Sequence, residues 1–367
     1  MKYTVKILHP LHIGTGKEIN PIEYIVDDQF HRIDMDALFR DDSFDNEKFI
    51  SNTKGEQLYL GDISPEICKK HARYIINFLD QHTKQALSSS LGSPNAEVLE
   101  YIKNRDLPYI PGSSIKGAIR TAILWYILKN DEYLMQKAQD ILYNQGRVKD
   151  VEADDEIIKL VFGKNPNYDL MRTLQVSDSE SVEIENLWLS KVKTLSTKYE
   201  GYGWKPYTVF IECLKSGTIL EGRFKTDDFL LKTKAAEKLK FGDKQELVEK
   251  IPEICNYFAS EFIDTEIKFY KKYKLDQLVN EYEELANSIP PSGKGFLLHL
   301  GWGAGWHGMT IGKLLQENHS FDFDGLRNKF SLGKRGVVEF PKTRKIIFKQ
   351  NQPEYPLGWV KISLKEL

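Results

Sequence analysis

The chain has 367 residues, with 51 Lys and Arg against 53 Asp and Glu, so its formal charge is −2. That balance excludes nucleic-acid binding through global charge; any such contact has to rest on local basic patches. Hydrophobic residues at 41% support a packed core and charged residues at 28% a soluble surface, and no apolar run approaches the ~20 residues of a membrane span.

Cys68, Cys213 and Cys255 are isolated, with neither metal spacing nor a disulfide framework. With an N-terminus that reads as a strand, they predict a reducing, cytoplasmic setting and no cofactor or metal. Residues 3–8 alternate as that first strand. Residues 9–17 form a loop in which Gly14 and Gly16 permit either a close backbone approach to a ligand or a hairpin bend. Residues 24–26 and 32–35 read as a hairpin, and 34–39 as the start of a short helix. Residues 67–84 read as a helix with Ile75, Ile76, Phe78 and Leu79 on its apolar side, followed by a loop over 88–95.

Pro108, Pro111 and Gly112 shape a turn ahead of a helix reaching Lys129. Ile115, Ile119, Ala122, Ile123, Tyr126 and Ile127 share one face, while Lys116 and Arg120, four apart, stack on another. Ser113 or Ser114 can cap the helix. Free N–H groups, two hydroxyls and two cations make a ready phosphate site, although a plain cap with solvated cations has the same sequence. The motif is not a P-loop, because Lys116 precedes Gly117.

Residues 131–143 and 154–162 are helical. Strands over 174–176 and 182–189 are joined at Asp178, which has no second carboxylate at ligand spacing and reads as a turn former rather than a metal ligand. Residues 198–206, aromatic and glycine-rich, either stack on bases or pack on their own domain. Residues 207–214 and 218–224 form a hairpin through Gly217. Residues 243–286 are helical and 296–300 form a short strand.

Gly303-Ala304-Gly305-Trp306-His307-Gly308 fits G-x-G-x-x-G, but too little chain follows it for a dinucleotide-binding unit. Its glycines instead suit backbone N–H contacts to phosphate, with Trp302 and Trp306 as stacking faces and His307 as a donor. Arg327, Lys329, Lys334, Arg335, Lys342, Arg344, Lys345 and Lys349 then crowd one segment with strands expected over 337–340 and 344–348, a phosphate-tracking surface or a solvated face.

Segments 10–16 (PLHIGTG), 110–121 (IPGSSIKGAIRT), 174–179 (LQVSDS) and 300–310 (LGWGAGWHGMT) resemble, in this order, the RAMP superfamily, the RNA-binding subunits of CRISPR effector complexes. Segments 20–26, 340–344 and 356–360 look most like the fifth, filament-capping subunit of the type III-A (Csm) complex. The resemblance implies an α+β, ferredoxin-like (RRM-like) RAMP fold with a βαββαβ core and large insertions. That order matches the elements at 3–8, 113–129, 174–224, 243–286 and 296–300. It also implies a soft division into residues 1–225, carrying the signature helix, and 226–367, carrying the glycine-rich loop; whether the latter is a second ferredoxin-like domain stays open.

The implied function is a non-catalytic guide-RNA (crRNA) binding subunit in antiviral defence. It would cap the backbone filament at the crRNA 3′ end, support crRNA maturation, contact other Csm backbone subunits and assist trimming nucleases. The implied RNA contacts are His12, Gly14, Gly16, Ser113, Ser114, Lys116, Arg120, Gly303, Gly305, Trp306, Lys342 and Arg344. The alternative is a metal-independent guide-processing endoribonuclease with His12 as base, for which no second titrating partner is visible nearby.

Overall fold

The computed structural model describes residues 1–52, 59–144, 154–241, 244–333 and 339–365. One sheet has five strands in the spatial order Gly295–His299, Trp359–Lys365, Lys2–Ile7, Ile219–Thr226 and Leu174–Val176, and each adjacent pair is antiparallel. Helix Gly112–Asn130 lies between the first and second strands of this unit in the chain, and helix Ile251–Lys272 follows the third. With Trp359–Lys365 as its fourth strand, the sheet runs 4-1-3-2, which is the ferredoxin-like βαββαβ arrangement.

The closing strand was expected at 296–300. The strand there, Gly295–His299, is instead an added edge, and the central place beside Lys2–Ile7 goes to Trp359–Lys365. Phe296, Leu297 and Leu298 form an uninterrupted buried run under helix Ile251–Lys272, which imitates a central strand. Val5, Ile7, Ile115, Ile119, Ile123, Phe224, Ile254, Phe296 and Ile362 share one hydrophobic core. Strands from both sides of residue 225 therefore contribute to the same sheet and core.

A second, nine-stranded sheet is built around the long hairpin Leu187–Thr197 and Tyr202–Leu214. The near half of Leu187–Thr197 pairs in parallel with Ala72–Phe78, and its far half pairs with Thr343–Lys349. The helix expected over 67–84 is thus three elements: helix Pro65–Lys70, strand Ala72–Phe78 and helix Gln81–Ser90. Burial alternates along Ala72–Phe78, as a β-branched and aromatic strand requires, and Asp80 caps the next helix through the Thr83 N–H.

The expected loop over 198–206 is largely strand. Tyr202 meets the Tyr273 ring at 5.7 Å and Trp204 the Phe348 ring at 4.7 Å, so both pack on their own domain; Tyr199 alone is open, at 91% exposure. Expected strand residues 182–186 hold a 3-10 turn, Ile184–Asn186. Of the strand expected at 337–340, residues 337 and 338 lie outside the described residues, while Glu339 and Phe340 form a bend ahead of the strand Thr343–Lys349. Among the described residues no helix is long and apolar enough to cross a membrane.

Candidate nucleic-acid interface

Pro111 is the N-cap of helix Gly112–Asn130, and no side chain of the turn caps it. The cap expected from Ser113 or Ser114 comes instead from Asp178, whose Oδ1 accepts the Gly112 N–H at 2.8 Å. The reason is proximity: Ser179 and Ile110 exchange hydrogen bonds at 2.9 Å, which seats the 177–179 turn against the helix start. Gly112 is required there, since a Cβ would strike the carbonyls of Val176 and Ser177. Asp178 is therefore a capping residue. Ser113 is exposed and Ser114 half-buried.

Arg120 pairs with Asp169 at 2.6 Å, its guanidinium 4.5 Å from the Phe162 ring centre. Lys116 has no carboxylate partner among the described residues; burial lowers its pKa, Asp169 opposing this and Arg120 adding to it.

The tryptophan–glycine loop sits against the 9–17 loop. The Trp302 N–H donates to the His12 carbonyl at 2.8 Å. Gly301 lies at φ +71° with the same carbonyl where a Cβ would stand, so both conformation and space demand glycine. Gly303 and Gly305 also have positive φ, and Gly305 is exposed at the start of the short helix Gly305–Met309. Trp306 packs edge-on to Phe340 at 4.7 Å. His307 is buried, with Nδ1 3.2 Å from Glu266 Oε1, and so is no free donor.

Much of the basic segment is already spent. Arg344 donates from Nε to Glu266 Oε2 at 2.7 Å and from Nη1 to the carbonyls of Pro341 and Thr343, with its guanidinium 4.2 Å from the Phe269 ring centre. Glu266 is almost wholly buried; burial pushes its pKa up, but Arg344 and His307 outweigh that and hold it at about 2. Lys329 donates to the carbonyls of Leu142 and Tyr143, and Arg327 pairs with Asp324. Lys342 is half-buried, and its carbonyl accepts the Thr197 N–H. Lys334 and Arg335 lie outside the described residues.

Lys345, like Lys116, is without a carboxylate partner among the described residues. Its Nζ lies 3.6 Å from the Trp302 ring centre, and burial brings its pKa down to about 8. Thr343–Lys349 is a strand, so Arg344 and Lys345 point to opposite faces. That alternation was the signal available in the sequence for choosing Lys345 over Arg344.

His12 is 2% exposed, its Nδ1 2.7 Å from the Glu212 carbonyl. A carbonyl only accepts, so Nδ1 carries the proton and Nε2 a lone pair. Burial, with Lys103 and Lys345 nearby and the Glu212 bond opposing, takes its pKa down to about 4. Glu212 itself is buried and ties Tyr74, the Tyr101 N–H and Lys103 together. Sequence reasoning could not find this network, because its members are up to 138 residues apart. Gly14 and Gly16 are exposed, Gly16 at φ +81°.

Two cavities join the middle of the signature helix, the tryptophan–glycine loop and the strand Thr343–Lys349. A cavity of about 500 Å³ lies between Arg120 and Leu124 of the signature helix and Trp306, Met309 and Ile311. A second, of about 160 Å³, is lined by Gly303, Gly305, Trp306, Arg344 and Lys345. Trp306 borders both. Lys345 and Trp302 lead on to His12 and Gly14. Among the described residues no three His, Cys, Asp or Glu side chains are grouped to hold a metal ion.

The family model of the RAMP superfamily matches residues 4–307. The chain is 27% identical to the CRISPR system Cms protein Csm5 of Methanocaldococcus jannaschii, covering 100% of this chain and 89% of that one. It is 24% identical to Csm5 of Streptococcus thermophilus, covering 100% and 97%. Among solved structures it resembles a chain of the Csm–crRNA–target RNA ternary complex of a type III-A CRISPR–Cas system. The TM-score is 0.75 at 26% identity, with 99% of this chain and 100% of that chain covered. The crystal structure of T. onnurineus Csm5 shares the fold, with a TM-score of 0.67 at 24% identity over 97% and 99% of the two chains.

Proposed function

Because the chain belongs to the RAMP superfamily, we propose that it is a Csm5-type, crRNA-binding subunit of a type III-A CRISPR effector complex. The observation that carries this reading is its end-to-end likeness to a chain of a Csm–crRNA–target RNA complex, at a TM-score of 0.75. In this reading the subunit caps the backbone filament at the crRNA 3′ end, contacts a neighbouring backbone subunit and works in the cytoplasm. It holds RNA without cutting it, and nucleases from outside the complex trim the strand that projects past it.

The RNA-facing groups are the exposed or unspent ones along one path: Ser113, Ser114 and Lys116 at the helix start, Gly303, Gly305 and Trp306 in the loop, and Lys342, His12, Gly14 and Gly16 beyond it. Arg120 and Arg344 act on this path through the side chains they hold, Asp169 and Glu266. Phosphate contacts of this kind give affinity that falls with salt and reads little sequence.

The test is to delete the gene from a host carrying the array and size the crRNAs. Accumulation of longer, unmatured 3′ ends with the other subunits still assembled supports the proposal. Unchanged 3′ ends and an intact complex without this subunit refute it.

A further inference from the structure

The imidazole edge of buried His12 lies directly beneath exposed Gly14. An ideal Cβ on Gly14 would lie 2.9 Å from His12 Nε2, and the other atoms within reach of it lie at 3.7 Å or more. Gly14 has no positive φ, so its backbone does not require glycine. What its bare Cα preserves is access to one buried ring nitrogen. That nitrogen is a lone pair, fixed as such by the Nδ1–H donated to Glu212, and it has no hydrogen-bond partner among the described residues.

Two further groups stand near His12. Trp302 stands edge-to-face with His12 at 5.9 Å, and on its ring rests Lys345, a cation without a carboxylate partner. A ring nitrogen without a protein hydrogen-bond partner, near a cation without a carboxylate partner among the described residues, suits a ligand carrying a hydroxyl next to a phosphate. DNA offers the phosphate without the hydroxyl; RNA offers both at each ribose.

We propose that His12 Nε2 accepts a hydrogen bond from a ribose 2′-hydroxyl while Lys345, seated on Trp302, takes the adjacent phosphate, so that this corner reads RNA against DNA. The assignment rests on the RNA-binding reading and adds to it a ribose-specific contact. His12 then acts as a hydrogen-bond acceptor. Its imidazole is a weak base: burial, its main cause, holds its pKa at about 4. Such a base is poorly matched to activating a hydroxyl at neutral pH.

The probe is a labelled single-stranded 20-mer RNA and its all-2′-deoxy counterpart, titrated against the full chain by fluorescence anisotropy. Wild type binds the RNA about five- to tenfold more tightly, the usual value of one good hydrogen bond. Gly14→Ala, whose Cβ would meet Nε2 at 2.9 Å and so covers that nitrogen only with a small shift of the ring or the backbone, brings the RNA and DNA affinities within twofold of each other. Lys345→Gln weakens both polymers alike and lowers the salt slope by about 0.7, the share of one phosphate.

Because His12→Ala can disturb packing, 2′-deoxy substitution one nucleotide at a time tests the same contact on intact protein and should localise the loss to one or two positions. A wild-type RNA-to-DNA ratio near one, or a ratio that Gly14→Ala leaves untouched, overturns the ribose contact while the phosphate-binding reading stands. Absence of binding to either polymer overturns both. Cleavage of the RNA that His12→Ala abolishes overturns the proposal in favour of a nuclease site.

Discussion

Arg344 separates a structural cation from an RNA-binding one. Replacing it with Met removes the guanidinium that faces Glu266 at 2.7 Å and leaves a carboxylate that is 1% exposed, with His307 as its remaining hydrogen-bond partner among the described residues. Burial lowers the His307 pKa and Arg344 adds to this while Glu266 opposes it, so the substitution lets His307 offset part of the lost charge and keeps the cost at the low end. Removing one partner of a buried pair typically costs about 3–5 kcal/mol; the two lost bonds to the Pro341 and Thr343 carbonyls add to this at the exposed end. Urea denaturation at pH 7 should show a lower midpoint at unchanged slope, equivalent to roughly 3 kcal/mol. Arg344→Met with Glu266→Leu, which removes both charges, should recover most of the loss. A loss below about 1 kcal/mol in Arg344→Met, with RNA affinity falling tenfold, would refute the structural role and return Arg344 to the list of direct phosphate contacts.

Asp178→Ala uncaps helix Gly112–Asn130 and should cost about 1 kcal/mol in the same assay, with RNA affinity unchanged or higher as a carboxylate leaves the helix start. Lys116→Ala should weaken RNA binding and flatten its salt dependence, whereas Arg120→Ala should mainly lower stability through loss of the Asp169 pair; equal salt slopes in wild type and Lys116→Ala count against a phosphate there. Burial holds His12 and His299 at about 4, below the ~6.5 of the unfolded chain. The unfolded state binds more protons in that window, so stability present above pH 6.5 should fall as pH drops towards 4, by up to about 1.4 kcal/mol per pH unit for each histidine. Glu266, held at about 2, extends the fall from about pH 4.5 downward. A flat stability profile from pH 7 to 4 contradicts this.

The signature helix was legible because its apolar positions repeat at helical spacing and its turn is fixed by Pro111 and Gly112. The ferredoxin-like order was legible too, but its fourth strand was not. Trp359–Lys365 closes the sheet across the whole length of the chain, and local pattern cannot distinguish it from the apolar edge strand Gly295–His299. Ala72–Phe78 was hidden by Ile75, Ile76 and Leu79, which fit a helical stripe as well as a pleat.

At the candidate site, the sequence exposes residue types and not their partners. Arg344 and Lys345 are neighbours in the chain, yet strand alternation buries one on Glu266 and leaves the other on Trp302. Gly14 reads either as a hairpin glycine or as a close backbone approach to a ligand, and only the placement of the His12 ring shows which atom its missing side chain leaves uncovered.

The central claim is that one face, running from Lys116 past Trp306 to Lys345 and His12, follows an RNA strand in the assembled complex. Ultraviolet crosslinking of the complex isolated from cells, followed by peptide mass spectrometry, tests it directly. The account predicts crRNA crosslinks at Trp302, Trp306 or their immediate neighbours. Crosslinks confined to other surfaces of this subunit, in a complex that retains its crRNA, would contradict it.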